Sequence, residues 1–220
     1  MGWKLSAIII DTVEDTEKVL SCFNFSDFEY YQTEALEIVM LPKANEIYIG
    51  TYNKKTIICV DVFPQEIIES RNSELENNLI TLFPNSEICC LILHSGVNLW
   101  GYSLIKNGEK IRARAGWSNV GTTVESGVPI KEELELLSKS RINDSGKREY
   151  WFEENPGNPF QEDQVGENFV FKILERYFTD EDIYDDLLFE TDLKGYKFTL
   201  KSGLQSESDH TIPTVVAEKP

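Results

Sequence analysis

The apolar positions along the chain change period several times, and each change marks an element. Leu5 to Ile10 is an almost unbroken, β-branched apolar run, the pattern of a strand buried on both faces. Asp11 or Thr12 then caps a helix running to about Phe23, with Val13, Val19, Leu20 and Phe23 on its buried side. Phe25 to Leu41 suits helix or strand equally, because Ala35, Leu36, Ile38, Val39 and Met40 fit either. Glu46 to Tyr52 and Thr56 to Val62 read as two strands joined through Asn53, Lys54 and Lys55, which is hairpin spacing.

Phe63 and Pro64 end that strand, and Ser73 with Glu76 gives a capping-box signature for a helix striped by Leu75, Leu79, Leu82 and Phe83. Glu87 to Leu93 returns as a buried strand. The clearest hairpin follows in LWGYSLIKNGEKIRARAG, where Asn107 and Gly108 both tolerate the positive φ of a type I′ turn. Regular pairing from that turn sets Lys106 opposite Glu109, Leu104 opposite Ile111, Tyr102 opposite Ala113 and Trp100 opposite Ala115. On this register Lys110, Arg112 and Arg114 share the face turned away from the aromatic core.

Downstream, a short helix covers about Ile130 to Leu137, followed by a polar loop from Ser138 to Lys147 and a short strand at Tyr150 to Phe152. An amphipathic helix spans Val165 to Phe178, a capped segment begins at Thr179, and Tyr196 to Leu200 closes the ordered part as a strand. The chain is thus a mixed α/β (α+β) domain over residues 1–200, with a largely antiparallel sheet of hairpins packed by amphipathic helices. From Lys201 to Pro220 the composition turns to Ser, Glu, Thr and Pro, as in a disordered tail.

Composition narrows the function classes. The net charge is -17, from 38 acidic against 21 basic residues, and such a field repels phosphate backbones and anionic headgroups. Nucleic acid and membrane are therefore not expected partners; the acidic balance either only keeps the protein soluble or recruits a basic protein partner. Cys22, Cys59, Cys89 and Cys90 have no CxxC spacing and sit in apolar stretches, so they read as core thiols and neither as disulfides nor as metal ligands. Without an export signal or a disulfide framework, the expected compartment is the cytoplasm.

No glycine-rich phosphate loop, HExxH, GxSxG or paired CxxC occurs, and no cofactor is expected. The candidate catalytic residues are Asp11, Asp61 and His94, all at strand ends. Converging on one sheet edge, two carboxylates and an imidazole could hold a metal or act as acid and base. Each also has a structural role to fill: a helix cap for Asp11, a turn for Asp61 and a hydrogen-bonded sheet border for His94. The acidic stretch from Thr179 to Asp192 lacks the glycine and ligand spacing of a calcium loop and reads as a helix start. Lys110, Arg112 and Arg114 form the candidate anion- or partner-binding site, unless acidic helices pair with them internally.

Several segments together resemble a bacterial family of uncharacterised proteins, a domain of unknown function. They are MGWK with its apolar strand, YIGTYNKKTIICVD, SGVNLWGYSLIKNGEKIRARAG, GVPI before an acidic helix, and GENFVFKILERYF ending in LKGYKF. The resemblance implies a shared mixed α/β domain and carries no established activity or catalytic residue. The favoured function is a non-enzymatic interaction protein of accessory or immunity type with an acidic protein-binding surface; the alternative is a metal-dependent or acid/base small-molecule hydrolase using Asp11, Asp61 and His94.

Overall fold

The run from Lys4 to Ile10 is the central strand of a computed structural model that describes residues 2–153, 155–185 and 187–201. This strand, β1 (Lys4–Ile10), sends Ile8 and Ile10 into one apolar cluster and Leu5, Ala7 and Ile9 into another on the opposite face, as a period of two requires. Then come α1 (Thr16–Leu20), β2 (Phe25–Ala35), α2 (Leu36–Val39) and the hairpin of β3 (Glu46–Tyr52) and β4 (Lys55–Val60). Two helices, α3 (Phe63–Glu69) and α4 (Glu74–Leu82), lead into β5 (Ile88–His94), β6 (Leu99–Lys106), β7 (Glu109–Trp117) and β8 (Gly121–Gly127). The rest comprises α5 (Lys131–Ser138), β9 (Ser140–Ile142), β10 (Arg148–Tyr150), β11 (Phe160–Gln161), α6 (Glu162–Leu174), α7 (Asp180–Tyr184) and β12 (Asp192–Leu200).

Nine strands form one sheet in the order β2-β12-β3-β4-β1-β5-β6-β7-β8, and every pairing in it is antiparallel. A small second sheet has the order β11-β10-β9. Helices α1, α3 and α4 cover one face through Val19, Leu20, Ile67, Ile68, Leu75 and Leu79. The other face receives α2, α5, α6 and α7 against Trp100, Tyr102 and Leu104. Cover on both sides explains why β1, β4 and β5 are continuous apolar runs although the sheet is antiparallel.

Several boundaries differ from the sequence reading for local reasons. Helix α1 starts later because Asp15 is its cap, accepting from the Glu17 and Lys18 amides at 2.9 and 3.3 Å. Phe63 and Pro64 open α3, with Pro in the first turn where no amide is needed. The ambiguous stretch divides, Phe25–Ala35 being strand and Leu36–Val39 helix. Part of the polar loop is β9, which pairs with β10. The expected tail lies outside the described residues beyond Lys201.

The largest correction concerns the central hairpin. Asn107 and Gly108 do form its turn, with φ of 52° and 78°, and pairing starts as expected with Lys106 opposite Glu109. A bulge between Leu104 and Ile105 then inserts Ile111, so that Leu104 faces Arg112 and Tyr102 faces Arg114. One extra residue exchanges the faces of everything that follows. Lys110 stays on the α3 and α4 side, bonded to the Ile67 and Ser70 carbonyls, while Arg112 and Arg114 enter the aromatic layer.

Candidate functional site

Arg112 and Arg114 are fully buried, side by side on the concealed face of β7. Helix α5 brings Glu133 to Arg112, with Nε and Nη2 donating to the two carboxylate oxygens at 2.7 Å each. Arg112 Nη2 also donates to Glu125 at 3.0 Å, and Nη1 to the Ser126 and Gly127 carbonyls at 3.2 and 3.1 Å. All five guanidinium N–H groups are thereby engaged. Burial alone lowers the Arg112 pKa, but the two carboxylates outweigh it and raise it.

Arg114 donates through Nη2 to Glu162 and, at 3.3 Å, to the Tyr150 hydroxyl. Its guanidinium lies 4.4 Å from the Phe169 ring centre and 5.4 Å from that of Trp100, a cation–π arrangement in a desolvated layer. Burial pushes the Tyr150 phenol up to about 12, although Arg114 works in the other direction. The sequence reading put the aromatic rings on the opposite face from these cations; the bulge puts them in contact.

A polar cleft of about 580 Å³ opens beside this network, between the β7–β8 turn, β10 and the first turn of α6. Thr122, Glu125, Arg148, Glu162 and Asp163 line it. Glu162 accepts from the Thr122 amide at 3.3 Å and from Tyr150 at 3.1 Å, and pairs with Arg148 at 3.7 Å. Asp163 accepts from the Asn119 amide at 3.0 Å and from the Asn98 side chain at 3.4 Å. Both acids therefore hold the 118–122 loop, Glu162 through the Thr122 amide and Asp163 through the Asn119 amide. The bonds within the cluster neutralise charge and anchor the loop, while Nε and Nη1 of Arg114 are buried without a hydrogen-bond partner among the described residues.

The strand-end trio does not converge. Asp11 lies beyond Ile10 and His94 opposite Lys4, so the full seven-residue length of β1 separates them, roughly 20 Å. Asp11 instead closes the β1–β5 end, accepting from the Glu87 amide at 2.8 Å. Asp61, just past the end of β4, and His94, at the end of β5, both lie near the start of β1 on opposite sides of it, about 10 Å apart at the usual strand spacing. Asp61 accepts through its carbonyl from the Ser6 hydroxyl. Among the described residues no group of three or more His, Cys, Asp or Glu side chains could hold a metal.

Lys110 pairs with Glu76 at 2.7 Å. The Glu76 amide bonds Ser73 as the capping signature requires, at 3.1 Å, but its carboxylate goes to Lys110. A second ionic hub joins Arg176 to Glu87 at 2.5 and 2.8 Å and to Glu132 at 2.8 Å. Sequence reasoning missed Glu133, Glu162 and the Arg176 hub. Glu133 carried a signal: it occupies the buried stripe of α5 with Leu136, and an acid on such a stripe calls for a buried cation. Glu162 and Arg176 carried none.

Comparison with known proteins adds one match. The sequence pattern of a family of unknown function (DUF6928) fits residues 12–174, well over half of the chain. The chain belongs to this family. No curated protein and no solved structure matches it. The DUF6928 span contains the whole network of Arg112, Arg114, Glu125, Glu133 and Glu162, whereas the opening MGWK, Arg176 and the LKGYKF strand fall outside it.

Proposed function

We propose that this DUF6928 protein is a non-catalytic cytoplasmic interaction protein, of accessory or immunity type, whose acidic surface meets a basic protein partner. One observation carries the reading. The cations of β7 are turned inward and matched by carboxylates, while acids such as Asp15, Glu17, Asp27, Glu29, Glu69 and Glu74 stay exposed. At a net charge of -17 the outer field attracts cationic surfaces and repels polyanions. Lys110, Arg112 and Arg114 then serve the fold, and free phosphate has no open donor on Arg112 to occupy.

The free thiols support the cytoplasmic reading. Cys22, Cys59, Cys89 and Cys90 are free and buried, and burial pushes the Cys22 and Cys90 thiols up to about 12, which suits core residues better than redox groups. Among the described residues no helix is long and apolar enough to cross a membrane. The test is a display library of short peptides screened at about 0.15 M salt, where long-range attraction is largely screened. The expected set is basic and shares a residue pattern. Enrichment that follows net charge alone, or that selects acidic peptides, overturns the reading.

A further inference from the structure

The edge strand β2 is the longest strand of the sheet, 11 residues, and among the described residues it is paired only on its β12 side. The Phe198 amide donates to Asn45 on the β3 side, so alternation sends the backbone groups of Lys197 and Thr199 toward β2. Glu29 and Asp27, their partners, therefore bond inward, and the N–H and C=O groups of Phe28 and Tyr30 point away from the sheet. From Tyr30 to Asp27 the pairing is regular, with register shifts only on either side. An unpaired row of this kind is a template for another strand.

The side chains along this row are not those of a neutral edge. Phe28 and Tyr30, 43% and 53% exposed, form an aromatic patch with Tyr196 at ring distances of 6.3 and 5.8 Å. Asp15 and Glu17 of α1 flank that patch and, after burial and Tyr30, help to raise the Tyr196 pKa. The opposite face of the edge carries Asp27 and Glu29, with Lys197 across from Glu29 and over the Tyr31 ring at 4.8 Å.

We infer that the outer edge of β2 docks an extended segment of a partner protein that alternates apolar and basic residues, added to the nine strands as a further one. This names the site and partner class for the proposed interaction and rests on that reading. Alternation is what the edge demands: one face of the incoming strand meets Phe28 and Tyr30, the other meets Asp27 and Glu29. Charge disfavours the other occupants. A second copy brings the same acids and its own charge of -17, and residues 202–220 contain Glu207, Asp209 and Glu218 against Lys219.

The experiment uses the full chain and two capped peptides of about eight residues, one alternating Val and Lys, the other with the same residues in two blocks. Calorimetry should show the alternating peptide binding roughly tenfold or more tightly than the block peptide. Phe28→Lys with Tyr30→Lys, both at exposed positions, should remove that preference. Hydrogen exchange should slow at the Phe28 and Tyr30 amides when the alternating peptide binds, a readout that needs no variant. Equal affinity for both peptides, or binding that leaves these amides unprotected, overturns the β2 site while sparing the interaction reading. Absence of binding by either peptide overturns both. Amides of Phe28 and Tyr30 already protected in the free chain would show that the edge is covered by residues 202–220 or a second copy, and would overturn the proposal.

Discussion

Arg112 and Glu133 form a two-pronged ion pair at 2.7 Å with both side chains fully excluded from solvent. Such a pair contributes little net stability over apolar residues of the same size, but removing one partner strands a charge. Arg112→Ala or Glu133→Ala should therefore cost about 3 to 5 kcal/mol in urea unfolding. Arg112→Lys should recover little of this, because one ammonium cannot replace a fork engaged at five points. The double variant Arg112→Met with Glu133→Leu should cost clearly less than the sum of the single changes. Additive costs would show that the two side chains do not act as a pair.

The turn beside this pair offers a simpler test. Gly108 has φ of 78° with only Ile80 near a Cβ added there, at 3.5 Å, so the strain of a substitution is in the backbone. Gly108→Val should destabilise the domain by about 1 to 3 kcal/mol. A denaturant midpoint equal to wild type would mean that the hairpin does not require positive φ at this position.

These two residues also mark what the sequence could convey. The turn was legible because Asn107 and Gly108 state a local backbone requirement, and the strands of β1, β5 and β6 were legible because their side-chain period is local too. The bulge at Ile111 was not. It is set by packing across the sheet, where Ile111 and Arg112 both join the aromatic side, and nothing in KIRARAG distinguishes that from regular alternation. The same limit hid the separation of Asp11 from His94, since strand-end acids converge only in a parallel arrangement and the antiparallel order places them at opposite ends of β1. Exposed acids were countable from composition, whereas Glu162 and Arg176 became meaningful only through partners 48 and 89 residues away.

Close approach of helix and sheet gives a third prediction. Gly166 of α6 rests on the Trp100 ring, and a Cβ added there would lie 2.0 Å from its Cδ1 atom. Trp100 is fully buried and cannot swing aside. Gly166→Ala should force α6 off β6 and cost about 1 to 3 kcal/mol or more, against the gain in helix propensity expected at an exposed glycine. Near-ultraviolet circular dichroism should report the displaced Trp100. A stabilised variant with an unchanged tryptophan signal would contradict this contact.

The last prediction concerns acid. Burial pushes the Glu87 carboxyl up, but hydrogen bonds from Arg176 and Tyr177 and the nearby Lys106 outweigh it and hold it at about 2, below the ordinary 4.5. The folded value lies below the unfolded one, so the stabilisation is fully present above about pH 4.5 and is lost as pH falls toward 2. A shift of this size corresponds to about 3 kcal/mol. Glu87→Gln should therefore be less stable than wild type at neutral pH, since Arg176 loses the carboxylate at 2.5 and 2.8 Å and keeps only Glu132. Below pH 4.5 the two proteins should converge, because the unfolded wild-type chain then takes up a proton that the folded chain, with Glu87 held by Arg176, does not. Other carboxylates titrate in both proteins and cancel in the difference, so the quantity to follow is the gap between the two urea midpoints against pH. A gap that stays constant from pH 7 to pH 2.5 would show that Glu87 is not the acid held down by Arg176.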